Sequence, residues 1–244
     1  MPIFNTQKTE KYLFGFLLFT LFWLPLSLGA NRPWAWALMQ MSVFFLGGVL
    51  LLTHKSLLSK LYAKYKLLII VWLVFLTWQL INIVPLPFSL VEALRPERVN
   101  LLDKDALGIE SISSQWLPLS FDVGQSDVIF FKSLAYCFLF FITLTLVNTG
   151  MRLRYILIVI SAAGVFQAIY GSLEVLSGLQ YSLVFKLPVS HIATGSFVYK
   201  NHYANFLLLC LSAAIGYMIA SLRVRSGSSP RERLRRIVRF LVKQ

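Results

Sequence analysis

The sequence predicts an all-α protein, a polytopic membrane helix bundle of about six transmembrane helices. Of its 244 residues, 57% are apolar and only 14% are charged, whereas a soluble chain has roughly a quarter of its residues charged. The mean hydropathy of +0.71 points the same way. The charges are clustered, and they leave uncharged runs about as long as the ~20 residues that a helix needs to cross a bilayer. These runs cover residues 12–31, 33–53, 67–91, 133–151, 155–173 and 201–222.

This composition argues against a soluble enzyme, a nucleic-acid-binding protein and a secreted disulfide scaffold. Cys137 and Cys210 each lie within an apolar run, where a thiol behaves as a small hydrophobic group. Their spacing fits neither a zinc site nor a disulfide framework. We therefore expect no metal, no other cofactor and no nucleic-acid partner.

The positive charge indicates how the chain is oriented in the membrane. If the N-terminus lies in the cytoplasm, sixteen of the 23 basic residues face inside, whereas only Glu10 and Glu232 of the ten acidic residues do. An excess of Lys and Arg marks cytoplasmic segments. The sequence therefore predicts that both termini are cytoplasmic (N-in/C-in).

This orientation divides the chain into five regions. We expect three transmembrane helices in residues 1–87, a periplasmic loop at 88–127 and two transmembrane helices in 128–178. A second periplasmic loop and the sixth helix occupy 179–222, and a basic cytoplasmic tail follows at 223–244. The first run is interpreted as an uncleaved anchor, because its apolar stretch is longer than that of a signal peptide.

The first periplasmic loop follows a proline-containing stretch. Pro85-Leu86-Pro87 ends the third helix, because proline cannot continue helical hydrogen bonding. We expect an irregular loop beyond it, with a short amphipathic helix near residues 90–102.

The basic tail contains a helix-start pattern. Ser229-Pro230-Arg231-Glu232 has the form of a capping box with proline at the first helical position. Apolar residues follow at helical spacing, with arginines on the other face: Leu234, Ile237, Val238 and Leu241. The pattern predicts an amphipathic helix bound to the anionic lipids of the inner leaflet; a solvated tail is the alternative.

Polar residues inside the helices mark a packing surface or a functional site. On the fifth helix one face carries Gly164, Gln167, Gly171, Glu174 and Gly178. We interpret this face as a packing seam. Glu174, near its outer end, is either solvated or a functional acid.

The third helix also has a polar face. Gln79 and Asn82 lie three residues apart on it. Amides in this arrangement either bond to a neighbouring helix or contact a substrate, and the first role is the more common.

The outer end of the sixth helix is the best candidate for a binding site. Lys200, Asn201 and His202 lie at this boundary, together with Ser196. A cation, an amide and an imidazole on one rim suit an anionic, lipid-linked phosphate. Lys132, at the outer end of the fourth helix, either extends to the lipid headgroups or adds its charge to the same rim. The sequence has no phosphate-binding glycine loop, hydrolase elbow, zinc motif or glycosidase carboxylate pair.

The segment His191-Ile192-Ala193-Thr194-Gly195-Ser196-Phe197-Val198-Tyr199-Lys200-Asn201-His202-Tyr203-Ala204-Asn205-Phe206-Leu207 resembles the start of the membrane domain of the O-antigen ligase and O-antigen polymerase family. Weaker matches lie upstream at Val84-Pro85-Leu86-Pro87 with Leu94-Arg95-Pro96, at Leu119-Ser120-Phe121-Asp122 and at Gln167-Ala168-Ile169-Tyr170-Gly171. The chain departs from the family pattern at Ile192 and Lys200, where arginine is frequent, and at Asn205, where glycine is.

The resemblance implies a metal-independent glycosyltransferase in the bacterial inner membrane. Such enzymes transfer a glycan from undecaprenyl diphosphate to lipid A-core or another glycan or protein acceptor, at the periplasmic face. In this chain the resemblance implies that His202 is the catalytic base and that positive charge stabilises the diphosphate. The substrate-binding candidates are Lys200, Asn201, Ser196, Lys132 and Arg95.

Family members continue into further helices and a large catalytic outer loop, whereas this chain ends near its sixth helix. We therefore expect it to correspond to the front half of such a protein, inactive without a C-terminal half. One alternative is a non-catalytic assembly or accessory subunit. A small transporter subunit is less favoured, because the sequence shows neither an inverted repeat nor a charge pair in mid-membrane.

Overall fold

The computed structural model describes residues 6–54, 56–105, 116–178, 180–182, 184, 186 and 192–224. Within these residues the chain is almost entirely helical, which confirms the all-α prediction. Five described helices are long and apolar enough to cross a membrane: Pro33–Thr53, Ser59–Ile83, Val123–Leu146, Gly150–Leu176 and Lys200–Ser221. The chain is therefore a multi-pass helical membrane protein.

Within the described residues, eight α-helices and two very short strands follow one another along the chain. In order they are α1 (Thr6–Leu26), a 3₁₀ turn (Leu28–Ala30), α2 (Pro33–Thr53), α3 (Leu57–Ile83), β1 (Leu86–Pro87), α4 (Phe88–Leu94), α5 (Pro96–Asp105), β2 (Trp116–Leu117), α6 (Val123–Leu146), α7 (Gly150–Leu176) and α8 (Lys200–Val224). Helix α2 coincides with its predicted uncharged run.

Helix α3 differs from its uncharged run at both ends. It begins at Leu57, well before residue 67, because lysine and leucine are good helix formers. A cluster of lysines limits the part of a helix that enters the membrane but does not stop the helix itself. The helix ends at Ile83, and Val84 adopts an extended conformation (φ −66°, ψ 130°), as expected for the residue before Pro85.

The chain forms two compact units. The first unit contains Met1–Thr6 and Gln40–Thr145, and the second contains Gln7–Met39 and Leu146–Gln244. The candidate rim around Lys200 belongs to the second unit.

In the first unit, aromatic packing and a polar contact join the helices. The rings of Phe44 on α2 and Phe138 on α6 lie 5.6 Å apart, nearly perpendicular. Gln79 on α3 donates from Nε2 to the Ser133 hydroxyl on α6 at 3.0 Å. This bond confirms the interhelical role predicted for Gln79. Asn82 instead donates to a backbone carbonyl of its own helix.

A small layer packs at the end of α3. Strands β1 and β2 pair antiparallel, with Leu86 opposite Leu117, and Val91, Val99 and Leu119 form a buried cluster beneath them. The predicted amphipathic helix is present as the two helices α4 and α5. Over its described part the loop is more regular than predicted, because α4, α5 and the paired strands β1 and β2 occupy it.

In the second unit, helix α1 contacts α7 near both of its ends. Near the start of both helices, Glu10 and Arg152 form an ion pair. Towards the other end, Gln167 of α7 donates to the carbonyl of Pro25 in α1 at 3.0 Å. Because α7 is long enough to cross the membrane, these contacts favour α1 as the sixth span. Helix α1 is not among the five helices named above, and the charged residues Lys8, Glu10 and Lys11 lie near its start.

The predicted amphipathic helix of the basic tail lies outside the described residues. Helix α8 is described to Val224.

Candidate functional site

The polar and small face of α7 is a packing surface, as the sequence predicted. Its members Gly164, Gln167, Gly171 and Glu174 are all buried. A Cβ on Gly164 would overlap the side chain of Cys210 on α8, and a Cβ on Gly171 would lie 2.7 Å from the hydroxyl of Tyr203. The glycines therefore allow α8 to approach α7 closely. Gly178, predicted on the same face, lies beyond the helix in a left-handed conformation (φ +65°) with open space around it.

Gln167 is fully buried and joins three segments of the second unit. Its Nε2 donates to the Pro25 carbonyl at 3.0 Å and to the Ser196 hydroxyl at 2.6 Å. In return the Ser196 amide donates to Gln167 Oε1 at 3.0 Å. Buried polar groups are costly unless they are hydrogen-bonded, and here both ends of the amide have partners.

Ser196 lies inside the protein and not on the rim where it was predicted. It is 5% exposed, and its hydroxyl donates to the Pro25 carbonyl at 2.7 Å. The hydroxyl both accepts from Gln167 and donates to Pro25. These bonds make Ser196 a positioning residue that fixes the segment before α8.

The Gly-Ser-Phe part of the motif fits closely against the second unit. Gly195 has φ +55°, a conformation that favours glycine, and a Cβ there would lie 2.6 Å from Gln167 Oε1. The ring of Phe197 fills the space beside Gly29. These residues therefore pack the segment before α8 against the rest of the second unit, a role that the resemblance to the ligase family does not predict.

The first turn of α8 carries the exposed rim. Lys200, Asn201 and His202 are all exposed, and the His202 ring lies 5.6 Å from that of Tyr199, nearly perpendicular. The next residue, Tyr203, is buried and anchors this turn, since its hydroxyl donates to the Gln167 carbonyl at 3.1 Å. The fixed network below thus holds the three polar side chains at the surface.

The electrostatics of this turn suit an anion. The unpaired backbone N–H groups of a helix N-terminus carry partial positive charge, and the Lys200 ammonium adds a full charge. The described residues include no acidic ion-pair partner for Lys200. The imidazole of His202 can donate to an anion or accept a proton, depending on its protonation state.

The remaining predicted residues lie in the first unit. Lys132 is half-buried on α6, and Arg95 is half-buried at the C-terminal end of α4. The structure brings Lys200, Asn201 and His202 together as consecutive rim residues. It assigns Lys132 and Arg95 to a different unit.

Glu174 is buried, which excludes the solvated alternative for this residue. It is 3% exposed, and its Oε1 has no hydrogen-bond partner among the described residues. Within the described part of the chain, no group of three or more His, Cys, Asp and Glu side chains could hold a metal ion.

Sequence reasoning missed Tyr203 and Pro25. A tyrosine directly after the rim residues is a usable signal, because buried tyrosine needs a partner for its hydroxyl. The Pro25 carbonyl has no such signal, since any residue supplies a carbonyl.

Comparisons with protein-family models, with curated proteins and with solved structures found no match to this chain. The fold defines the class of protein, a multi-pass helical membrane protein, and the function rests on the chemistry of its residues.

Proposed function

We propose that this chain acts in the transfer of a glycan from undecaprenyl diphosphate to lipid A-core or another acceptor, as the front half of an O-antigen ligase-like protein in the bacterial inner membrane. The observation that carries the proposal is the rim at the start of α8. There an exposed lysine and histidine sit on a turn that buried hydrogen bonds hold in place.

The chemistry of the rim fits this reaction. Lys200 and the N-terminus of α8 would bind the diphosphate and stabilise the negative charge that develops as it leaves. His202 would accept the proton of the acceptor hydroxyl. Asn201 would donate a hydrogen bond to the phosphate, and Ser196 would position the turn. Lys132 and Arg95, in the first unit, are substrate-binding candidates from the resemblance.

A second candidate is a non-catalytic assembly subunit. None of the described residues in the apolar part of α3 is buried, and almost none in α8 is. Both helices therefore offer long apolar faces to lipid or to the helices of a partner, which includes a C-terminal half protein.

The test measures transfer in cells of the source organism, with each variant replacing the native gene. Lys200→Ala and His202→Ala should each reduce the surface glycan at least tenfold and cause its lipid-linked precursor to accumulate. Lys200→Arg keeps the charge and adds a bidentate donor, so this variant should keep the transfer activity that Lys200→Ala loses.

Arg32→Ala is the matched control, because Arg32 is an exposed cation of the same unit outside α8. It should leave glycan display unchanged. Immunoblots of the membrane fraction show whether each variant accumulates normally. Normal glycan display in both Lys200→Ala and His202→Ala, at normal protein levels, would reject the site. A normal precursor pool together with loss of the subunit's assembled complex would favour the assembly role.

A further inference from the structure

Two arginines of the first unit approach one aromatic ring. The guanidinium carbon of Arg95 lies 5.4 Å from the centre of the Phe121 ring, and that of Arg98 lies 5.3 Å from the same point. Cations at such distances are attracted to the ring. Phe121 is thus the aromatic contact that both positive charges of the small layer beyond α3 share.

The backbone fixes both arginines in this position. Arg95 ends α4 and Pro96 begins α5, so the chain turns sharply between them. The Arg98 amide donates to the Arg95 carbonyl at 3.0 Å. Arg95 Nη1 also donates to the Leu119 carbonyl at 2.9 Å. The arginines are therefore held by the layer itself and need no ligand to bring them together.

The charge of this pair is not balanced within the described residues. Neither arginine forms an ion pair there, and the buried Nε of Arg98 has no hydrogen-bond acceptor. Glu97 lies between them in the sequence but is exposed, and Asp122 accepts a hydrogen bond from the Gln125 amide. An unpaired buried donor is costly, and two positive charges against one ring repel each other, a repulsion that a bound anion would offset.

The ligand that fits best is a phosphate group. A guanidinium presents its N–H donors in a planar fork that matches phosphate oxygens, and a phosphate has enough oxygens to bind two such forks. The layer begins directly after Pro85, just beyond the end of α3 at Ile83. This places the pair where lipid headgroups and water-soluble phosphates are both within reach.

We propose that Arg95 and Arg98, held against Phe121, form a phosphate-binding site in the first unit. Both guanidinium groups bind the phosphate. The site does not depend on the proposed role of the chain in glycan transfer. The phosphate belongs either to a membrane lipid or to a soluble phosphate compound.

The test uses the purified full chain in phosphatidylcholine nanodiscs and measures binding by calorimetry. The two probes are inorganic pyrophosphate and dioctanoyl phosphatidate. The wild-type chain should bind at least one of them, more weakly as salt concentration rises. Arg98→Gln and Arg95→Gln should each weaken binding about tenfold, the effect of losing one charge-assisted contact.

Two further variants keep the result interpretable. Arg98→Lys keeps the charge without the fork, so its affinity should lie between those of wild type and Arg98→Gln. Arg32→Gln removes an exposed arginine of the second unit and should bind both probes like wild type. Thermal melts identify any variant that fails to fold.

The outcomes separate the two sources of phosphate. Binding of phosphatidate alone would identify a lipid headgroup as the ligand, whereas binding of pyrophosphate would show that the anion itself is recognised. Absence of binding to both probes, or equal binding by wild type and both glutamine variants, would overturn the proposal. Loss of phosphate binding in Arg98→Gln tests this site, whereas loss of glycan transfer in Lys200→Ala tests the proposed function separately.

Discussion

Gln167 and Ser196 form a reciprocal pair of hydrogen bonds. Gln167 Nε2 donates to the Ser196 hydroxyl at 2.6 Å, and the Ser196 amide donates to Gln167 Oε1 at 3.0 Å. Both residues also bond to the carbonyl of Pro25. One buried amide thus joins α1, α7 and the segment that leads into α8.

This network connects the interior to the rim. The Gln167 carbonyl accepts a hydrogen bond from Tyr203, the residue that follows His202. A change at Gln167 should therefore disturb the first turn of α8 as well as the stability of the second unit.

Replacing Gln167 by leucine should destabilise the protein. The Ser196 amide would lose its buried acceptor, and an unsatisfied buried group costs about 1–3 kcal/mol. The Pro25 carbonyl would keep its bond from the Ser196 hydroxyl. We expect the free energy of unfolding to fall by about 2 kcal/mol or more, measured by denaturation in detergent micelles. Ser161→Ala on the same helix is the control, since the Ser161 hydroxyl donates to the Leu157 carbonyl of its own helix. Its effect should stay within about 0.5 kcal/mol, and equal losses in both variants would contradict a special role for Gln167.

Gly164→Ala should separate α7 from α8. The added methyl group would overlap Cys210, and overpacking of this kind costs roughly 1–3 kcal/mol. Gly216→Ala on α8 is the matched change, because a Cβ there meets open space and alanine favours the helix. Thermal unfolding in detergent should show a lower melting temperature for Gly164→Ala and an equal or higher one for Gly216→Ala. The opposite order would mean that the two helices do not pack at Gly164.

Arg152→Ala should cost more stability than Glu10→Ala. The ion pair is partly exposed, with side-chain exposures of 22% and 24%, so its own contribution is about 0–1 kcal/mol. Arg152 also donates to the Leu146 carbonyl at 2.7 Å and lies 5.3 Å from the Phe14 ring centre, contacts that Glu10 does not share. Glu10 also accepts a hydrogen bond from Asn148 Nδ2 at 3.2 Å, so the difference in unfolding free energy between the two variants measures the extra Arg152 contacts less this exposed bond. A larger loss in Glu10→Ala would show that the ion pair dominates.

Much of the helical architecture could be predicted from the sequence, because the bilayer requires long uncharged runs. The run at residues 33–53 and helix α2 coincide. The start of α3 at Leu57 was missed, since the end of an apolar run marks the edge of the membrane and not the end of the helix. The paired strands at Leu86 and Leu117 were missed as well, because strands of two residues leave no periodic signal.

The interior of the candidate site was harder to predict. Pro25 and Ser196 lie 171 residues apart in the sequence, and no local pattern reports a contact of this range. The exposed residues Lys200 and His202 were found because charge and imidazole at a membrane boundary stand out. The packing role of Gly164 and Gly171 followed from their helical spacing.

The side of the membrane that Asn201 faces tests the central claim most directly. The measurement is labelling with a membrane-impermeant maleimide, in a background where Cys137 and Cys210 are replaced by alanine. Asn201→Cys, exposed on the first turn of α8, should be labelled in intact cells. Arg154→Cys, exposed near the start of α7, should be labelled only after lysis. Labelling of Arg154→Cys in intact cells, with Asn201→Cys protected until lysis, would place the rim in the cytoplasm and contradict the proposed role in glycan transfer.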